Sequence, residues 1–189
     1  MLSLLATTAT ASLLIRDAHN PCVAYGNATI FNITSLFRWP AVVTGPPDYD
    51  NKKYQYSWAC GGLAAKAMAN GSHTACADND TAVCQHDPTT GLEYNAGALS
   101  TALWLGAAFN GEPTEWTILY PNTQRAPPSP YSGIGGAGIR LSRVHFVVDK
   151  SVASPQLSML GEEPFTEYQL EVRGACIGQP DWDSPKRYC

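Results

Sequence analysis

Arg140-Leu-Ser-Arg-Val-His-Phe-Val-Val148 reads as one β-strand. Successive side chains of a strand point to opposite faces, so Arg140, Val144, Phe146 and Val148 share one side and Arg143 and His145 lie on the other. The same period recurs in Tyr168-Gln-Leu-Glu-Val172, which gathers Tyr168, Leu170 and Val172. It recurs again in Tyr54-Gln-Tyr-Ser-Trp58 and, more loosely, from Ala28 to Leu36. Trp116-Thr-Ile-Leu-Tyr120 is β-branched and aromatic. Gly45-Pro-Pro47, Asp87-Pro88, Pro127-Pro-Ser-Pro130 and Gly133 to Gly138 punctuate these runs as turns. Helical spacing occurs over Gly62 to Met68 and over Ala98 to Ala108. Short strands broken by turns, without an internal repeat, predict an all-β fold: a flattened β-barrel or sandwich of two antiparallel sheets.

The totals limit what such a domain can do. A chain of 189 residues, 44% hydrophobic and 15% charged, suits one domain with a proper core. A net charge of −4 and the lack of any Lys/Arg run argue against nucleic acid, which requires a basic face. Four Asn-x-Ser/Thr sequons, at Asn27, Asn32, Asn70 and Asn79, and six cysteines, an even number, point to an oxidising, glycosylating compartment. That compartment is the secretory lumen or the outside of the cell. Residues 1–18 have the apolar runs and small residues of a signal peptide, although the basic start is missing. No other segment approaches the ~20 apolar residues of a membrane span. The expected organisation is a leader over 1–18, a domain over 19–178 and a tail over 179–189.

Several apparent motifs dissolve in context. Gly133-Ile-Gly-Gly-Ala-Gly138 spells the dinucleotide fingerprint but lacks the preceding buried strand and following helix, leaving a glycine turn. His73, Cys76, Cys84 and His86 have the count of a zinc site, yet sequons at Asn70 and Asn79 put them where thiols pair. Asp78-x-Asp80 and Asp181-x-Asp183 lack the flanking ligands of a calcium loop. There is no nucleophile elbow and no zincin helix, and adjacent Glu162 and Glu163 are not thereby opposed across a cleft. The expectation is a protein without catalysis, cofactor or metal.

Four stretches, in order, resemble the mannose 6-phosphate receptor homology domain. They are Tyr54-Gln-Tyr-Ser-Trp-Ala-Cys60-Gly61; Cys76 with Ala82-Val-Cys84-Gln85 and downstream Tyr94 and Gly97; Tyr131-Ser-Gly133 with Arg140-Leu-Ser142-Arg-Val144-His-Phe146; and Glu163-Pro-Phe-Thr-Glu-Tyr168 running to Ala175-Cys176. The resemblance spans roughly Cys22 to Cys176 and implies a lectin for terminal mannose or mannose 6-phosphate on the N-glycans of glycoproteins. It implies sugar-binding residues Gln85, Arg140, Glu163 and Tyr168, with Gln and Arg reading the 2-hydroxyl and Glu and Tyr the 3- and 4-hydroxyls. An amide offers donor and acceptor, a guanidinium a rigid donor fork, a carboxylate two acceptors and a phenol a wall with a hydroxyl. Each partner left unpaired by the wrong epimer costs about 1–3 kcal/mol. Arg140 and Tyr168 both sit at strand starts on core-facing parity, where a barrel-end pocket needs them. Spacing to Tyr168 leaves Glu162 as a substitute for Glu163. The alternative function is the same fold serving as a structural or protein-interaction module.

The chain departs from the family pattern at its cysteines. Gly135-Gly-Ala-Gly138 and Thr166-Glu167 stand where the family has a cysteine before the arginine and another before the tyrosine, and Val148 replaces a third. The resemblance then implies the pairs Cys22–Cys60, Cys76–Cys84 and Cys176–Cys189.

Overall fold

The computed structural model describes residues 10–25, 30–33, 41–47, 51–61, 76, 79–109, 112–125, 139–162 and 166–175. Among them are twelve strands: β1 Thr10–Arg16, β2 Val23–Tyr25, β3 Ile30–Asn32, β4 Ala41–Thr44, β5 Gln55–Trp58, β6 Thr81–His86, β7 Glu93–Ala98, β8 Leu103–Phe109, β9 Glu112–Arg125, β10 Ile139–Val148, β11 Gln156–Glu162 and β12 Glu167–Gly174. They form an eight-stranded sheet, ordered β11-β12-β10-β9-β8-β1-β2-β3, and a four-stranded sheet, ordered β4-β5-β6-β7. None of the described residues is helical, and no helix is long and apolar enough to cross a membrane.

The period-two pattern has its physical outcome in β10 and β12. Arg140, Ser142, Val144 and Phe146 alternate inward along β10, as do Tyr168, Leu170 and Val172 along β12. Val148 shares the parity but, at the strand end, is 38% exposed. One pairing departs from two antiparallel sheets: β10 and β12 run parallel, with Ser142 opposite Tyr168. The connection after β10 places β11 one strand-width out, and β12 turns back into the vacant slot, antiparallel to β11. The stretch with helical spacing, Ala98 to Ala108, forms a turn and then β8. There the period is two, with Leu103 exposed, Trp104 buried and Leu105 half-buried, because the cross-strand partner Leu14 packs with Trp104 beneath the sheet. Gly62 to Met68 and the glycine turn at Gly133 to Gly138 lie outside the described residues. The expected leader overlaps β1, which pairs with both β8 and β2. A chain beginning after Ala18 would lack that strand.

Between the sheets lies an aromatic core. Phe31 stacks on Trp116 at 4.3 Å and meets the edges of Trp104 and Phe146. Trp58 crosses from the smaller sheet to Phe146 and donates its indole N–H to the Tyr120 hydroxyl at 3.2 Å, so its polar edge is satisfied in the dry interior. The disulfide Cys22–Cys60 joins the residue before β2 to the loop after β5, linking the sheets across 38 residues of sequence. Closing a loop that long is worth on the order of 3–4 kcal/mol. Cys76–Cys84 ties the approach to β6 onto the strand itself. Cys176 and Cys189 lie outside the described residues. Of the sequons, Asn79 is in an exposed turn and Asn32 is half-buried in β3, while Asn27 and Asn70 fall outside.

Close approach of the two sheets depends on one glycine. Ser142 donates to the Ala96 carbonyl at 2.8 Å and Asn122 to the Asn95 carbonyl, drawing β7 onto β9 and β10. A Cβ at Gly97 would stand 2.6 Å from the Tyr120 Cβ and 3.1 Å from its carbonyl oxygen. The contact involves backbone as well as side chain, so relief requires the strands to part. Gly97→Ala is expected to lower stability by about 1–3 kcal/mol, as overpacking does. A urea midpoint indistinguishable from wild type would contradict this packing.

Candidate functional site

At the start of β10, Arg140 is inward and 8% exposed; in the parallel neighbour β12, Tyr168 is inward and 2% exposed. Facing them from the other sheet is Gln85 on β6, 5% exposed. The Arg140 Nη1 donates to Gln85 Oε1 at 3.0 Å, and the Tyr168 hydroxyl donates to the same oxygen at 3.2 Å. Gln85 Nε2 donates in turn to the Tyr56 hydroxyl at 3.1 Å. Both lone pairs of one carbonyl are thus engaged by the opposite sheet, and one amide hydrogen is engaged within its own sheet. Three of the four residues expected to read a hexose therefore meet at one point. The fourth, Glu163, lies outside the described residues. Its neighbour Glu162, at the end of β11, is half-buried, and its charge acts on both Tyr56 and Tyr168.

A strained residue stands just before the strand that carries Tyr168. Thr166 has φ 75°, a left-handed conformation that costs a β-branched residue on the order of 1–3 kcal/mol. Its surroundings hold it there. The Thr166 N–H donates to Glu162 Oε1 at 2.8 Å, its hydroxyl to the Ile139 carbonyl at 3.2 Å, and its carbonyl accepts from the Leu141 N–H at 3.0 Å. Those bonds tie the starts of β10 and β12 together. They fix Arg140 and Tyr168 side by side without the cysteines that the family resemblance leads one to expect there.

Two members of the cluster escape the motif reading. Tyr56 and Tyr94 lie directly opposite Gln85 on its two flanking strands, giving one row across β5, β6 and β7. Arg140 Cζ sits 4.6 Å from the Tyr94 ring centroid and 6.0 Å from that of Tyr168. The Tyr56 and Tyr168 rings are 5.7 Å apart. Tyr94 and Gly97 are strand residues of β7. A signal was present: the turn residues Asp87-Pro88 and Gly91 centre a hairpin that sets Gln85 opposite Tyr94. On the outer side of the same sheet, Cys76, Cys84 and Glu93 bring donor atoms within 4.8 Å of one another, but both sulfurs are committed to their disulfide.

Burial governs the acid chemistry of these phenols. It pushes Tyr56 well above its ordinary value of 10.0, and the Glu162 charge adds to the effect. Tyr168 is raised by burial against the pull of Arg140, and Tyr120 by burial against its bond from Trp58. The unfolded chain ionises these groups near pH 10 while the folded chain keeps them neutral. Their stabilisation is therefore complete below pH 10 and is lost as pH rises above it. In an alkaline titration, some of the nine tyrosines are expected to ionise near pH 10, with Tyr56, Tyr120 and Tyr168 ionising only as near-UV dichroism collapses. All nine titrating while that signal is intact would refute the burial.

No family model matches the chain, and no curated protein matches it in sequence. Solved structures do. Domain 11 of chicken IGF2R superposes with a TM-score of 0.53 at 19% identity, covering 85% of this chain and 93% of that one. The solution structure of domain 11 of the echidna mannose 6-phosphate/IGF2R receptor gives 0.51 at 14% identity, covering 85% and 96%. At such identities the likeness is one of fold, and both are receptor domains. With two facing sheets, a disulfide joining them and this match over most of its length, the chain has the fold of the mannose 6-phosphate receptor homology domain.

Proposed function

We propose that the chain binds terminal mannose or mannose 6-phosphate on the N-glycans of glycoproteins, without chemistry on them, in the secretory lumen or outside the cell. Sorting or quality control of glycoproteins is the setting such binding serves. The observation that carries this reading is the convergence of Gln85, Arg140 and Tyr168 from three strands of two sheets onto one carbonyl oxygen. Among the described residues, the bonds of the cluster do not take the second Gln85 amide hydrogen, the other arm of the Arg140 fork or the Tyr168 oxygen lone pairs, and these are the valences a ligand would use. A carboxylate from Glu163 or Glu162 completes the set, accepting from two neighbouring hydroxyls. The proposed discrimination is between epimers, because an axial hydroxyl that meets these donors becomes an unpaired group when equatorial. Both described disulfides suit an oxidising compartment.

One observation favours a second reading, in which the same cluster is structural and the domain is a spacer or protein-interaction module. Gln85, Arg140, Tyr168 and Tyr56 are each 8% exposed or less and bond to one another. A glycan array separates the two. Wild type is expected to retain mannose-terminated or phosphomannosyl glycans and to ignore glucose-terminated ones. Arg140→Ala and Arg140→Lys should each lose at least about tenfold, the worth of a bond to a charged group, with near-UV dichroism verifying the fold. An array without any mannose signal for wild type would leave the structural reading standing.

A further inference from the structure

Tyr94 differs from the rest of the cluster in its surroundings. Gln85, Arg140, Tyr168 and Tyr56 are almost wholly enclosed, whereas Tyr94 is half-exposed. It is also the residue opposite Gln85 in the β6–β7 ladder, with Arg140 Cζ 4.6 Å from its ring centroid. The guanidinium is thereby held in two directions. Gln85 Oε1 grips one edge through a hydrogen bond, and Cζ stands over the Tyr94 ring. A hydrogen bond fixes where an edge sits but lets the plane swing about it. A ring packed beside the group restricts that swing, and the ring quadrupole attracts the cation. The two restraints act on the same group from adjacent strands whose register is set by the ladder itself.

We infer that Tyr94 is a positioning residue: its ring sets the plane of the Arg140 guanidinium and so the direction in which the remaining arm of the fork presents its donors. This rests on the reading of the cluster as a hexose site. For a sugar, direction matters more than charge. A hydroxyl accepts a bond along its lone pairs, and a fork tilted out of line loses the bond even while the charge stays close. The phenol hydroxyl has no part in this, because attraction and coverage both come from the ring. Tyr94→Phe therefore preserves the positioning and Tyr94→Leu removes it, although leucine restores apolar bulk.

The test uses the whole folded chain labelled with nitrogen-15, observing the Arg140 Nε–Hε resonance, which is identified by its absence in Arg140→Lys. A ring against the guanidinium shifts that proton. The wild-type shift is expected to persist in Tyr94→Phe and to be lost in Tyr94→Leu, where only the more distant Tyr168 ring remains. In parallel, methyl α-mannoside affinity measured by calorimetry should stay within about twofold in Tyr94→Phe and fall about fivefold in Tyr94→Leu, the worth of a partly buried cation–ring contact. An unchanged Arg140 resonance in Tyr94→Leu overturns the inference, as does wild-type sugar affinity in that variant. If wild type binds no mannoside, the hexose reading fails separately, and the resonance alone then decides whether Tyr94 holds Arg140.

Discussion

Two donors on one sheet share a single acceptor on the other, and the arrangement of this end of the molecule follows from that. Gln85 Oε1 receives the Arg140 guanidinium and the Tyr168 hydroxyl. A guanidinium taken from water needs such a partner, since an unmatched buried charge costs several kcal/mol. The side chains can meet only if β6 faces the starts of β10 and β12 at side-chain distance. Elsewhere the sheets are joined by the Cys22–Cys60 disulfide, by hydrogen bonds from Ser142, Asn122 and Trp58, and by apolar contact such as Trp58 against Phe146. Apolar packing tolerates sliding; directional hydrogen bonds do not. These directional contacts, the Gln85 cluster among them, set the relative position of the sheets, while the aromatic core supplies the adhesion.

Strain near the site is placed where the sheets join it. Thr166 is held in a left-handed conformation by three hydrogen bonds, and one of these draws on Glu162. The acidic residue beside the cluster is thus also a strut for Thr166, just before the strand that carries Tyr168. The holding is done by backbone and side-chain hydrogen bonds between Ile139, Leu141, Glu162 and Thr166.

Much of this was legible in the sequence because alternation is a local property. The inward parity of Arg140 followed from Val144 and Phe146, and that of Tyr168 from Leu170 and Val172, before any tertiary contact was known. The parallel pairing of β10 with β12 was not legible, since nothing in either strand encodes which neighbour it takes or in which direction. The stretch from Ala98 to Ala108 misled for a related reason. Alanine and leucine satisfy several periodicities, and only the packing of Trp104 with Leu14 selects period two. The sequence marks Tyr56 as a strand residue and Tyr94 as a motif residue but not as neighbours, because a motif names side chains one segment at a time. Their place beside Gln85 is a property of the ladder, which joins three segments. Glu163 lies outside the described residues, so the acidic member of the set stands where the spacing left it, between Glu162 and Glu163.

The account depends most on whether the Gln85 carboxamide still has a hydrogen to offer a hexose after serving Tyr56. Following the Gln85 side-chain amide resonances during a titration with methyl α-mannoside answers this directly. The predicted result is a saturable shift with the mannoside and none with the glucoside epimer. Resonances unmoved by either sugar, or moved equally by both, would contradict it.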